Sequence, residues 1–174
     1  MKFKKYLFNN VLSTNNTALR LIKNGKYNGV VFSESQSKGR GQRGNKWISK
    51  KGNLFMTFFF KISNKLTLKR ITQINLSLIK KIILKTTKEK VSIKLPNDIL
   101  IDRKKVCGIL QEIVFKNNKK FLIIGIGINI INSPNLINYE TSYLNNYSKK
   151  KINKIKLFNQ IKIIFEKKIK YFKK

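Results

Sequence analysis

Short apolar runs alternate with lysine- and asparagine-rich intervals along the chain, and the period within each run indicates its element. Ser13, Thr14 and Asn15 offer capping side chains, Ala18, Leu21 and Ile22 follow at helical spacing, and Gly25 is a natural stop. Residues 29–34 read as a buried strand, and 54–61 as a second. Thr67 opens a long helix with an apolar stripe of Leu68, Ile71, Ile74, Leu78 and Ile82, ending in the polar stretch 85–90. Beyond it the period shortens. Residues 91–95 alternate as a strand, the pattern breaks at Pro96, Asn97 and Asp98, and 99–101 form a short strand before a turn at 102–104. A strand over 106–115 turns at Asn117-Asn118 and returns over 121–130, so the middle of the chain reads as an antiparallel meander. Residues 132–150 read as loop, and 152–172 as an amphipathic helix with Ile161, Ile164, Phe165 and Ile169 in its stripe.

A chain of 174 residues with 41% hydrophobic content is long and apolar enough for one folded domain. No apolar run approaches the roughly 20 residues that span a bilayer, so no membrane partner is expected. The basic N-terminal stretch is broken at Asn9-Asn10, unlike a signal peptide. The single cysteine, Cys107, excludes an internal disulfide framework and fits a reducing cytoplasm; with no histidine either, no metal-ligating residues are expected. The charge is extreme, 39 Lys+Arg against 7 Asp+Glu, a net +32. A polyanion partner would explain it, and so would compositional drift, since Lys, Asn, Ile and Phe are abundant together and the cations are spread over the whole chain. The spread favours drift, with weak salt-sensitive adhesion to nucleic acid and no specific nucleic-acid partner.

The chemistry concentrates in residues 33–47, between two apolar runs. Gly39, Gly41 and Gly44 alternate there with Lys38, Arg40 and Arg43. Glycines let backbone N–H groups approach an anion, and arginine adds a planar fork that matches carboxylate or phosphate. By itself the loop is compatible with an anion cradle, an RNA contact or a solvated turn. It is not a Walker loop, because no Gly-Lys-Ser/Thr follows. Gly125 and Gly127 lie inside a strand and lack the third glycine and helix of a dinucleotide fingerprint. A flat ligand against the backbone, or a bulge, would each account for them.

Several boxes stand in one order: Ser13-Thr14-Asn15; Gln36, then Gly39 to Trp47; Lys94-Leu95-Pro96-Asn97-Asp98; Lys105 to Glu112; and Gly125 to Asn129. Together they resemble the catalytic domain of the biotin protein ligases, from about Leu12 to the last helix. The resemblance implies an α/β (α+β) fold, a mixed, largely antiparallel sheet backed by helices, like class II synthetases and biotin/lipoate ligases. Against that family the chain is expected to be a single catalytic domain over 1–174, with no N-terminal helix-turn-helix domain and no evident C-terminal β-barrel domain. The resemblance also implies a two-step activity, in which biotin and ATP with Mg²⁺ form biotinyl-5′-AMP and the biotinyl group then passes to a lysine of the biotin carboxyl carrier protein of acetyl-CoA carboxylase. The protein would be a cytoplasmic monomer or homodimer.

The same resemblance assigns site residues. Ser13, Thr14 and Asn15 would meet the ureido ring of biotin, whose donors and acceptors hydroxyls can serve. Gln36, Gly125 and Gly127 would line the biotin pocket. Arg40, Gly41 and Gln42 would fold over the carboxylate and the adenylate phosphate. Arg43, Asn97 and Asn129 would serve the nucleotide, and Trp47 either walls the site or packs in the core. Lys105 would place an ammonium between two anions that must meet, and with Arg40 and Asp98 it completes the catalytic set. Asp98 would orient or deprotonate the acceptor lysine, or else stabilise a turn. Leu95 stands where the family often has Trp, which bears on ATP affinity, and Gln42 where some relatives carry Arg. The alternatives are a lipoate or octanoate ligase or transferase of the same superfamily, and a basic RNA-binding module, which here lacks regularly placed surface aromatics.

Overall fold

The computed structural model describes residues 1–63, 65–136 and 139–172. In chain order the elements are β1 (Lys5–Val11), α1 (Thr14–Lys23), β2 (Asn28–Gln36), β3 (Leu54–Lys61), α2 (Leu68–Thr87), β4 (Val91–Lys94), β5 (Asp98–Ile101), β6 (Lys104–Lys116), β7 (Lys119–Ile128) and α3 (Lys154–Lys168). The strands form one sheet in the order β1-β2-β3-β7-β6-β5-β4. Only β1 and β2 pair in parallel; every other neighbouring pair is antiparallel. The fold is therefore the mixed, largely antiparallel sheet backed by helices that the boxes imply.

β3 lies in the middle of the sheet and is covered on both faces, which is why its sequence is nearly all apolar. Leu54, Met56, Phe58 and Phe60 point into the main core, against Ile79 and Ile83 of α2 and Phe158 and Phe165 of α3. Phe59 faces the other way, with Val31 and Ile123, onto Ala18 and Ile22 of α1. Helices α2 and α3 thus back one face. α1 covers part of the other and leaves the rest open for a site.

Local signals placed most elements. Thr67 caps α2 by accepting from the amide of Arg70, and Asn153 caps α3 by accepting from that of Lys156. α1 ends as Gly25 N–H donates to Ile22 O and Lys26 N–H to Leu21 O, the Schellman arrangement. Asp102-Arg103 and Asn117-Asn118 all have positive φ, as type I′ hairpin turns require.

Other expectations need correction. β1 has no counterpart in the sequence reading: it is an edge strand, half exposed and rich in Asn, so its apolar signal is weak. The buried face of α2 runs through Ile71, Asn75, Ile79, Ile82 and Ile83, while Leu68 is exposed. A polar residue sits in mid-face because Asn75 Nδ2 donates to Gln111 Oε1 on β6 at 2.9 Å. The last helix stops at Lys168 and tightens into a 3-10 turn over Ile169–Phe172. Ser13 occupies the N-cap of α1 without a side-chain cap bond.

One irregularity matters for the site. Against β5, the register of β6 slips between Ile99 and Leu100: Ile99 pairs with Cys107 but Leu100 with Lys105, leaving Val106 as an extra residue. Val106 and Cys107 both join the main core. Lys105 is thereby turned to the opposite face, shared with Gly108, where strict alternation would have sent it into the core.

Candidate functional site

A cavity of about 580 Å³ opens on the face that α1 leaves uncovered. Its wall is formed by the start of α1 (Ser13, Thr14, Asn15), by Gln36, by the loop from Arg40 to Trp47, by Asn97 and Asp98, and by the strand residues Lys105, Gly108, Gly125 and Gly127. Of the residues expected in a site, only Asn129 lies outside it. Asn129 is buried; its Nδ2 donates to Ser142 O, its backbone N–H donates to Val106 O, and its Oδ1 accepts from Asn53 Nδ2 at 3.4 Å. It lines a small neighbouring recess and organises the backbone beside Lys105.

The cationic loop is a small hairpin rather than a slack connection. Gly41 N–H donates to Asn45 O, Trp47 N–H donates to Gly39 O, and Arg40 bridges to Lys46. The turn at its tip passes through Arg43 and Gly44, both at positive φ. Trp47 then lies flat on the strands. Gly108 and Gly127 face each other across β6 and β7, and a Cβ on Gly127 would stand 2.5 Å from the indole, one on Gly108 2.7 Å. A Cβ on Gly125 would stand 2.1 Å from Asn15 Oδ1. The β3·β7 and β6·β7 registers are continuous through both β7 glycines, so no bulge explains them. The chain's own Trp47 and Asn15 make the close approach. Trp47 is both a wall of the cavity and a packed side chain, and its buried indole N–H has no partner among the described residues.

Lys105 is the most enclosed cation at the cavity. Its Nζ lies 2.8 Å from Asp98 Oδ1 on the neighbouring strand, off the direction of a well-aligned hydrogen bond. The rings of Trp47 and Tyr139 flank the ammonium at 5.4 and 5.1 Å, within cation–π range. Tyr139 belongs to a strap fastened across the lysine: Lys105 N–H donates to Glu140 O, and Ser142 N–H donates to Lys105 O. Cys107, two residues on, points into the core. Burial pushes its thiol far above the ordinary range and the nearby Lys105 charge only partly opposes this, so it is no nucleophile.

A continuous polar network ties the start of α1 to the loop. Gln36 Oε1 accepts from the backbone N–H and hydroxyl of Thr14 at 2.7 and 3.0 Å. Thr57 Oγ1 lies 2.8 Å from Thr14 Oγ1 and donates to Asn15 Oδ1 at 2.7 Å. Asn15 Nδ2 donates to Glu112 Oε2 at 2.7 Å, and Glu112 accepts both arms of the Arg40 guanidinium, at 2.7 and 3.2 Å.

Sequence reading gave no role to Thr57, Glu112 or Tyr139. Thr57 carried a signal as the polar exception in the apolar run 54–60, and Glu112 stands with Gln111 as a polar pair inside an apolar stretch, but their partners are distant in the chain. Leu95 is exposed on the turn before Pro96 and Asn97, which line the cavity. Among the described residues no cluster of His, Cys, Asp or Glu is arranged to hold a metal, and no helix is long and apolar enough to cross a membrane.

Comparison with known proteins places this arrangement. The model of the Biotin/lipoate A/B protein ligase family matches residues 8–129. The bifunctional ligase/repressor BirA of Bacillus subtilis is 33% identical over 174 residues, covering 92% of this chain and 52% of BirA. The chain spans about half or less of the length of the curated BirA relatives it matches. Among solved structures, the biotin protein ligase of Aquifex aeolicus in complex with biotin and ATP superimposes with a TM-score of 0.82 at 27% identity, covering 98% of this chain and 72% of that one. The Leishmania major biotin protein ligase in complex with biotinyl-5-AMP gives 0.77 at 25%, covering 97% and 79%.

Proposed function

The chain belongs to the biotin/lipoate A/B protein ligase family, and from that membership we propose that it carries the catalytic unit of an ATP-dependent biotin ligase. In the first step the biotin carboxylate attacks the α-phosphorus of ATP, the bond to the β-phosphate breaks, and pyrophosphate leaves with its electron pair. In the second, the amine of a carrier lysine attacks the acyl carbon, AMP leaves, and the amine loses a proton. The carrier is a biotin carboxyl carrier domain.

The observation that carries this reading is the convergence of Lys105 and Arg40, from elements far apart in sequence, on one cavity that Ser13, Thr14 and Asn15 also line. Both reactants of the first step are anions, and fixed cations lower the barrier to their meeting. The amides and hydroxyls around Asn15, Thr14 and Gln36 offer both donors and acceptors, which suits a cyclic urea. Trp47, flat over paired glycines, suits an apolar ring and tail. Asp98, held beside Lys105, is placed to orient an incoming lysine and accept its proton. Mg²⁺ would neutralise phosphate charge. Asp98 is the one carboxylate lining the cavity among the described residues, so the ion would come mainly on the nucleotide.

A thermal-shift series with biotin, lipoate and a short RNA, each with and without Mg-ATP, tests the reading. Biotin and Mg-ATP together should raise Tm by more than the sum of their separate shifts, with pyrophosphate released. Synergy with lipoate instead would assign the other branch of the family. A shift with RNA alone that persists at 0.2 M salt would overturn the ligase reading.

A further inference from the structure

We propose that Glu112 is the positioning residue that seats the cationic loop on α1, and that it fixes which way the Asn15 amide presents its two ends. Glu112 is one of only 7 acidic residues in the chain and sits in β6 on the site face, where Glu112 pairs with Ile123 across the sheet. It does not line the cavity, whereas Asn15 and Arg40 do. Its two oxygens are shared between elements: Oε1 accepts from Arg40 Nη2 at 2.7 Å, and Oε2 accepts from Arg40 Nη1 at 3.2 Å and from Asn15 Nδ2 at 2.7 Å. Arg40 Nη1 also donates to Asn16 Oδ1 at 2.8 Å. The first turn of α1 and the loop therefore meet on one carboxylate and one guanidinium.

Two consequences follow from the chemistry of these groups. A carboxylate only accepts, so Asn15 must turn its NH₂ toward Glu112 and its oxygen toward the Thr57 hydroxyl and Gly125. The side chain that opens the pocket is thus oriented from behind. Arg40, for its part, is gripped along one edge of its fork. Its Nε–H and the second Nη2 hydrogen keep no partner among the described residues, so the guanidinium remains able to receive an anion in the cavity. Glu112 seats the arginine without occupying all of its donors. Seated in this way, the loop would charge less of its ordering entropy against ligand binding.

The loop reports its own position, because it contains trypsin sites: cleavage after Arg43 requires it to leave the wall. In the ligand-free full chain, Glu112→Gln and Glu112→Ala should each speed that cut by about fivefold or more, the range of a bidentate pair at a half-exposed site. Arg40→Ala should do the same. Combining it with Glu112→Gln should add less than about twofold, because both break one contact. Unchanged cleavage in the Glu112 variants, or independent effects in the double variant, would overturn the seating role. Should Glu112→Ala fail to fold, Glu112→Gln, nearly isosteric, decides alone.

The ligand half of the inference rests on the biotin-ligase reading and has its own readout. Trp47 is the single tryptophan and lines the cavity, so its emission should respond to ligand there. The biotin Kd of Glu112→Gln should rise about tenfold, the cost of about one charge-assisted hydrogen bond, while the Kd of Glu112→Asp rises less. A wild-type protein that binds no biotin would sink the ligase reading and leave the cleavage result to judge the seat. A wild-type that binds biotin, with Glu112→Gln binding equally well, would overturn the role of Glu112 in orienting Asn15.

Discussion

Lys105 Nζ and Asp98 Oδ1 stand 2.8 Å apart with side chains only 10% and 19% exposed, and the Val106 bulge is what turns the lysine toward its partner. Each group screens the other in a poorly solvated place, so removing one leaves the second uncompensated. Lys105→Ala should reduce adenylate formation by at least about 100-fold, the order expected for losing one fixed transition-state donor. It should also cost about 1–3 kcal/mol of stability, less than a fully buried pair because some solvent reaches both groups. Adding Asp98→Asn should return most of the stability and none of the activity. Urea unfolding and pyrophosphate release check the two halves separately; a double variant no more stable than Lys105→Ala would show that the charges do not support each other.

Gly127 is held to glycine by the indole above it. A methyl at Gly127 would stand 2.5 Å from Trp47 Cε2, and the indole cannot sink because Gly108 is equally close on the facing strand. Gly127→Ala should cost about 1–3 kcal/mol as an overpacked site. It should also lift Trp47 from the wall, red-shifting its emission and weakening biotin binding more than tenfold. An unshifted emission spectrum would place the strain elsewhere.

How far these relationships could be read from the chain depended on how local their causes are. The hairpin turns at Asp102-Arg103 and Asn117-Asn118, the Thr67 cap and the Gly25 stop are settled within a few residues, and they stand where the pattern puts them. The boxes from Ser13 to Gly127 were legible as letters, and the fold brings them to one cavity. What could not be read depends on distant partners. β1 is a strand because β2 offers it an edge, not because its residues are strongly apolar. The Val106 bulge is a property of pairing with β5 and has no compositional mark. Glu112 finds Arg40 72 residues away, and Asn129 turns its amide to Ser142 and Asn53 instead of the cavity.

Cys107 gives a prediction with a defined sign in pH. Burial raises its thiol far above the ordinary value near 9, so the folded protein keeps the proton that the unfolded chain releases in alkali. Above about pH 9 the unfolded state therefore binds fewer protons, and stability falls with rising pH by up to about 1.4 kcal/mol per unit from this group. Below that pH the group has no effect. Cys107→Ala should lose some packing energy at neutral pH yet show a shallower decline between about pH 9 and 10.5. Parallel slopes in urea unfolding would refute the assignment. In the native protein the thiol should resist thiol-reactive dyes at pH 8 and react on unfolding.

Thr57 is the sharpest test of whether the network behind the cavity acts as a unit. It is the lone hydroxyl in the Leu54–Lys61 strand, fully buried, and it touches both Thr14 and Asn15. Thr57→Val keeps the shape and removes the donor. Asn15 Oδ1 then loses its proton donor in a buried place, at a cost of about 1–3 kcal/mol. Asn15 cannot recover by flipping its amide, because Glu112 would then face an oxygen rather than an NH₂. The variant should therefore bind biotin more weakly, with its KM raised about tenfold or more and kcat changed much less, since Lys105 and Asp98 are untouched. Combined with Glu112→Gln, the loss should be less than the sum of the two single losses, because both variants release the same Asn15 amide from one of its fixed partners. Additive losses in that double variant would mean that the two residues act on the pocket separately and that Asn15 is not the link between them.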